Sequence, residues 1–469
     1  MALDVNLRDA TAGTPVNITS GGAVRIAAPI AGDNDKFLVH YSHADGTLDA
    51  FEKLRVSEPR NVFEYNFGAM TPATATTIWE VAAVASGTAA LTTNLYGVDL
   101  NTLTTSGSGY WIQSLAHTRY RPGISVLFRC TFNFNSLISG VRQRVGMFTD
   151  QGTFPSTAGD GFYIEADGTT ISFVRRYSTT ISTGLEERVS QGFWTGDNLN
   201  GSGSTGITLD WTKAQHLVVE YQWLGVGMIR FGFDCGGTDG VIWCHQFTAT
   251  NNLTGPWSRT GSLPVRAEIV TTSAVGVAGK LTLVNCVVQH EGAIEERTHR
   301  YFGANTGNTL RTVGTAAGLF PILSLRAAST NDLTKRARIR PVSVSISVIT
   351  AGTGTTSIQV GLLMLPTPNT GATFAVQPGG SNTTVDIAAT ATTAVTGTLI
   401  HAWTIPNTVG TYTFDLSNTE DNINLIGYNA AGTVAITGPS VLTLAAGTLT
   451  GTTTAAPAFA ASITWKEVV

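Results

Sequence analysis

Charge is what this 469-residue chain has least of: Asp, Glu, Lys and Arg make up 13% of it, for a net charge of -4. With no basic excess, there is no general attraction to nucleic acid or to an anionic membrane. Cysteine is scarce as well, with four in all: Cys130, Cys235, Cys244 and Cys286. None stands in the Cys-x-x-Cys spacing of a zinc site. The closest two flank Gly236-Gly237-Thr238-Asp239-Gly240, and a hairpin centred near Thr238 sets Cys235 opposite Val241, out of register for a bridge. Buried free thiols are the expectation. No apolar run reaches the ~18 residues that a membrane-crossing helix needs. The opening Met1-Ala2-Leu3-Asp4-Val5-Asn6 lacks the basic start and apolar core of a secretory signal. Helical periodicity and fixed-period repeats are missing too. The reading is a soluble chain made in a cytoplasm, with no nucleic-acid partner, no membrane insertion, no metal and no cofactor.

What is abundant is glycine, 51 residues of it, along with Thr and Ser. Such a composition suits many short strands joined by tight turns, with hydroxyls decorating the exposed faces. The clearest local signals lie between Asp160 and Gly232. Phe162-Tyr163-Ile164-Glu165-Ala166 turns at Asp167-Gly168 into Ile171-Ser172-Phe173-Val174-Arg175, and Asp-Gly between β-rich runs marks a hairpin because glycine supplies positive φ without strain. Leu217, Val219, Tyr221 and Trp223 alternate with Val218, Glu220 and Gln222, the period of a half-buried strand. The turn Leu224-Gly225-Val226-Gly227 then sends the chain back antiparallel through Met228–Phe233.

An all-β fold follows, with two or more β-sandwich domains. Residues 1–50 are Gly-broken and weakly periodic, an N-terminal arm or attachment module. Residues 51–300 form the first sandwich. Residues 301–340 read as a linker containing a basic strand, and residues 341–469 as a charge-poor, jelly-roll-like second sandwich. From Pro341 onward only six charged residues occur: Asp386, Asp415, Glu420, Asp421, Lys466 and Glu467. In that half, Val360, Leu362 and Met364 compete with Leu363 and Leu365 for one inner face. Burial on both sides, and a charge-poor interface between copies of the chain, are the expectation.

Four segments together resemble accessory virion proteins of tailed bacteriophages. They are Leu54-Arg55-Val56-Ser57-Glu58-Pro59, Tyr120-Arg121-Pro122-Gly123, the Gly161-Phe162 hairpin and Trp223-Leu224-Gly225-x-Gly227-x-Ile229-Arg230-Phe231-Gly232. The family comprises decoration, head-fibre and tail-fibre proteins with a lectin-like, concanavalin-like sandwich, and the resemblance covers about residues 50 to 300. It implies a structural component of a virion, assembled in the host cytoplasm, with other virion proteins as partners. By analogy it also implies a homotrimer.

Three groups of residues invite chemistry. Glu165-x-Asp167 resembles the start of the Glu-x-Asp-x-x-Glu strand of glycoside hydrolases with the lectin-like fold, but Thr170 stands where the third carboxylate belongs. Asp167 precedes Gly168, so turn formation already accounts for it. Without the carboxylate pair of glycosidic cleavage, a solvated hairpin and no enzymatic activity are expected. Trp194, Asp197, Asn198 and Asn200 lie in a Gly-rich loop that joins an aromatic ring to planar hydrogen-bonding groups. That mixture suits host glycans, which would make the chain a receptor-binding protein. Arg336, Arg338 and Arg340 fall on one face if extended. They form either a partner-docking stripe for an acidic protein surface or a charged edge that blocks pairing with other strands.

Overall fold

The computed structural model describes Asp49 and most of residues 59–468, leaving out among others 71–77, 293–299, 328–337 and 427–440. The expected N-terminal arm therefore lies outside the described residues, as does the Leu54–Glu58 motif. Every named element is a β-strand apart from two single-turn 3-10 helices, as the all-β reading requires.

Fifteen strands build the first sandwich: β1 (Arg60–Asn66), β2 (Trp79–Val84), β3 (Ala90–Thr93), β4 (Val98–Asn101), β5 (Gly109–Thr118), β6 (Ser125–Asn133), β7 (Val141–Phe148), β8 (Gly161–Asp167), β9 (Thr170–Ser178), β10 (Gly184–Ser190), β11 (Gln215–Tyr221), β12 (Ile229–Asp234), β13 (Val241–Phe247), β14 (Leu263–Thr271) and β15 (Lys280–Glu291). One sheet runs β13-β12-β11-β6-β15-β4-β3, with β1 also on β15; the other runs β10-β9-β8-β7-β14-β5-β2. All their pairings are antiparallel. The expected hairpin is β8–β9, with Asp167 opposite Thr170 and Gly168 at φ +60. The return after Trp223 is β11–β12, with Tyr221 opposite Ile229.

Alternation along each strand decides where the core sits. Phe128, Phe132, Leu217, Val219, Tyr221, Phe231 and Phe233 of one sheet face Val145, Met147, Phe162, Ile164, Phe173, Val265 and Ile269 of the other, all of them buried. The rings interlock: Phe173 stacks on Phe231 at 4.3 Å, and Phe162 meets Tyr221 at 5.0 Å. All four thiols are free, as expected, although it is Asp234 that stands opposite Val241, one residue before Cys235.

The second sandwich has twelve strands: β16 (Arg300–Asn305), β17 (Arg311–Thr312), β18 (Phe320–Ala327), β19 (Arg338–Thr350), β20 (Ser357–Thr367), β21 (Phe374–Val376), β22 (Thr383–Asp386), β23 (Thr396–Pro406), β24 (Gly410–Asp415), β25 (Leu425–Ile426), β26 (Val441–Thr448) and β27 (Ala458–Val468). They make two six-stranded sheets, β16-β27-β19-β24 with β17 and β25 attached, and β21-β22-β18-β26-β20-β23. The expected linker at 301–340 is corrected here. It contributes β16, β17, β18 and the start of β19, and β16 pairs with the C-terminal β27 along its whole length. A pairing over more than 150 residues leaves no local trace, so the Gly/Asn-rich turn at Asn305–Gly307 looked like a domain break.

Burial on both sides of β20 is real, but its cause is not another copy. Val360 and Leu362 enter the core, and Leu363 is covered on the opposite face by Leu319, Val395 and Ala445 of the same chain.

Candidate functional site

The most unusual chemistry lies on the outer face of the seven-stranded sheet. Each strand that sends an apolar residue inward must send its neighbours outward. Register then lines these up in rows across the sheet. One row reads Arg188, Val174, Tyr163, Gly146, Arg266, Gln113, Glu80; the next reads Ser190, Ser172, Glu165, Arg144, Glu268, Trp111, Ala82. An outer face so rich in charge would ordinarily be wet, yet Arg144 and Arg176 are 0% exposed and Glu165 and Glu268 1%.

Most of these charges are paired with one another. Arg144 donates through Nε to Glu165 at 2.7 Å and through Nη1 to Glu268 at 3.0 Å, and it lies over the Tyr163 ring at 4.8 Å. Arg188 holds the other side of Glu165 at 2.7 Å and reaches Glu186, which also accepts from the Tyr163 hydroxyl at 2.6 Å. Arg266 donates to Glu268 at 2.9 Å and Gln113 at 3.1 Å while its guanidinium lies 4.5 Å from the Trp111 ring. Asp150, just past β7, bridges Arg266 at 3.4 Å and Arg176 at 3.6 Å. Gly146 makes room at the centre of this lattice, since a Cβ there would stand 2.3 Å from the Phe162 carbonyl oxygen.

Farther along the loop after β7, Asp160 accepts from Arg259 Nε at 2.9 Å and Nη2 at 2.7 Å on Oδ2, and from the Arg259 amide at 3.0 Å on Oδ1. Phe154 lies against Trp111 and Val270, so an aromatic residue covers one part of this face.

Burial and neighbours pull the carboxyl groups apart. Burial alone would raise Glu268, but Arg266 and Arg144 overcome it and bring the group down to about 2. Glu165 is likewise held below the ordinary carboxylate range, its burial outweighed by Arg144 and Arg188. Glu80 has only the more distant charge of Arg266 to offset its burial and rises to about 7. Asp150 rises to about 6, because desolvation and the Glu268 charge outweigh its arginines. One face thus carries a carboxyl that keeps its proton toward neutrality along with carboxylates that its arginines hold below their ordinary range.

This overturns the expectation of a solvated hairpin at Glu165. Asp167 is exposed at the turn, whereas Glu165 is among the most buried charges in the chain. Its arginine partners come from β7 and β10, which no local pattern reveals.

The four loop residues expected to hold a glycan lie close together, but in other roles. Trp194 is buried, stacked on Phe173 at 4.1 Å, with its Nε1 donating to the Val189 carbonyl. Asp197 spends both oxygens inside the loop, accepting from the Leu199 amide at 2.8 Å and the Thr205 amide at 2.7 Å. Asn198 turns its amide toward the Gln191–Trp194 turn. Asn200 accepts from the amide and hydroxyl of Ser202. The aromatic ring offered to solvent is the neighbouring Phe193, 80% exposed, which the sequence reading passed over. The signal was available in Gly192-Phe193-Trp194, since adjacent residues of a turn point apart.

Arg336 lies outside the described residues. Arg338 and Arg340 open β19, whose partners there are Val468 and Lys466 on β27 and, beside Arg338, Ile426 on β25. A charged free edge is therefore corrected: β19 is an interior strand, and Arg340 is half-buried.

No protein-family model matches this chain, and no curated protein does. Solved structures do. The Emp46p carbohydrate recognition domain aligns with 51% of this chain and all of its own, at 9% identity and a TM-score of 0.31. An endo-1,3-β-glucanase from Streptomyces sioyaensis aligns over 50% of this chain and 97% of its own, at 12% identity and 0.34. A carbohydrate esterase from the Shiga toxin-encoding bacteriophage phi24B covers 50% of this chain and 99% of its own, at 10% identity and 0.29. The expectation that the chain is not an enzyme is withdrawn on this finding, because hydrolases stand beside lectin domains among the structures it resembles.

Two outcomes follow from the lattice. Arg144→Leu removes the cation between two buried carboxylates and is expected to destabilise the chain by about 3 kcal/mol in urea unfolding. Glu80 binds its proton more tightly folded than unfolded, so its ionisation above pH ~7 costs stability, and the cost vanishes once both states are protonated below pH ~4. Glu80→Gln is therefore expected to melt about 5 °C above wild type at pH 8 and level with it at pH 4.

Proposed function

We propose that this chain is a structural component of a tailed-bacteriophage particle, a decoration or fibre protein that stabilises or extends it. Its partners are other virion proteins, and its place is the virion, assembled in the host cytoplasm. The observation that supports this reading is the meeting of two sequence motifs that carry the phage resemblance. Tyr120, at the head of Tyr120-Arg121-Pro122-Gly123, meets the second motif: its hydroxyl oxygen accepts from the Leu224 amide at 3.2 Å, and its ring meets Trp223 edge-on at 5.6 Å. Trp223 Nε1 donates to the Ser258 carbonyl at 3.0 Å, and the Gly225 carbonyl accepts from the Trp257 amide at 2.8 Å. Leu224 is held at φ +36, a strained conformation for a branched side chain that this surrounding network maintains. Motifs a hundred residues apart in sequence thus form one corner. The homotrimer rests on the charge poverty of residues 341–469 and on analogy, since Leu363 has its cover within the chain.

Mass spectrometry and cryo-electron microscopy of purified particles test the reading. Two linked sandwiches at regularly repeated positions are expected, and particles that lack the chain would refute it.

A second reading has its own observation. Phe193 stands in a turn that is braced from three sides. Trp194 anchors it to the core, Gln191 Nε2 donates to the carbonyls of Asn198 and Leu199, and Trp211 Nε1 donates to Gln191 Oε1. An aromatic face held out in a Gly-rich polar loop suits the apolar face of a pyranose ring. On this reading the loop holds host surface glycans. Phe193→Ala is expected to weaken glycan-array binding at least tenfold with an unchanged melting midpoint; undiminished binding would remove the loop from consideration.

A further inference from the structure

Cys130 and Cys286 stand directly opposite each other in the ladder between β6 and β15. Both side chains enter the same core cluster, at 1% and 3% exposure, and both are free thiols. β6 lies between β11 and β15, so the pair sits well inside the eight-stranded sheet. Directly opposed residues of an antiparallel pair have Cα atoms about 4.5–5.5 Å apart, inside the range of about 4.4–6.8 Å that a disulfide spans. The other two cysteines have no such relation. Cys244 falls at the bulge where Phe231 pairs with His245 and Gly232 with Trp243, and Cys235 lies just past the end of β12.

We propose that Cys130 and Cys286 form a specific cross-strand disulfide site, closed by thiol–disulfide exchange with a small disulfide such as oxidised glutathione. One cysteine thiolate attacks a glutathione sulfur, giving a mixed disulfide and releasing one glutathione thiolate. The second cysteine, deprotonated in turn, attacks the protein-bound sulfur and releases the other. The protein loses two protons and two electrons, and one oxidised glutathione becomes two reduced molecules. Burial dictates when this happens. The Cys130 thiol is pushed up to about 12, and burial, helped by the neighbouring Cys130, holds Cys286 well above the ordinary thiol range. Neither is a nucleophile in the closed sandwich, so the exchange belongs to folding, before β15 seals the sheet. Once formed, the bond is shielded from reductants by the same burial. It ties a central strand to the last strand of the sandwich and closes a loop that contains β7 to β14, which restricts the unfolded chain strongly.

The experiment refolds the full chain from denaturant with oxidised and reduced glutathione, or with the reduced form alone. After alkylation of free thiols, peptide mapping is expected to show Cys130 joined to Cys286, with Cys235 and Cys244 alkylated. The melting midpoint is expected to lie about 10 °C above the reduced chain, and Cys130→Ser refolded in the same buffer is expected to show neither bond nor shift. Four alkylated cysteines in a chain that has regained its near-ultraviolet spectrum would overturn the proposal. So would a bond to Cys235 or Cys244, or an oxidised chain that melts below the reduced one.

Discussion

Arg144, held between Glu165 and Glu268 with its guanidinium over Tyr163, is the contact around which the first sandwich is arranged. An isolated buried guanidinium would be prohibitively costly, and each carboxylate would be too. The arrangement persists because every ion has more than one counter-group. Glu165 has two arginines, Glu268 has two, and Asp150 has two. Removing any member strands the others in a low-dielectric setting, where the loss exceeds that of a surface pair. The consequence is structural cohesion: β10, β9, β8, β7 and β14 are tied by side chains as well as by the ladder, and the loop after β7 is fastened to the same face.

The lattice also explains how one sheet can be apolar inward and ionic outward without a solvated outer surface. Tyr163 and Trp111 serve both purposes, covering arginine stems and offering π faces to their cations. Glu80 is the exception. It sits on the edge strand β2, next to Gln113, and its carboxyl has the weakest cationic support on the face. A carboxyl that holds its proton near neutrality is therefore a by-product of strand order: Glu80 stands at the β2 rim, where Arg266 is the cation that offsets its burial.

The Phe193-Trp194 pair shows the same logic at the scale of a single turn. Trp194 is consumed in anchoring, and that anchoring is what holds Phe193 out. Composition could place an aromatic residue in the loop, but which of two adjacent rings faces water depends on the position of Phe173 and Phe233 beneath it. The corner formed by Tyr120, Trp223 and Trp257 has a similar history. Each motif reads as a turn in isolation, and only the docked pair explains why the strained Leu224 backbone is tolerated.

Local periodicity determined what depends on neighbours along the chain: the all-β class, the Asp167-Gly168 hairpin, the Tyr221-to-Ile229 return and the inward faces of β11 and β12. These follow from a strand's period of two and from glycine's freedom at positive φ, both properties of a few consecutive residues. Tertiary structure alone decided the rest. Glu165 became a buried lattice member because β7 and β10 brought arginines to it, β16, β17 and β19 formed because β27 paired back onto them, and Leu363 lost its need for a partner chain when Leu319 and Val395 covered it. In each case the deciding neighbour is distant in sequence, and the free energy that fixes the role, of desolvation or of ion pairing, exists only after the strands have met.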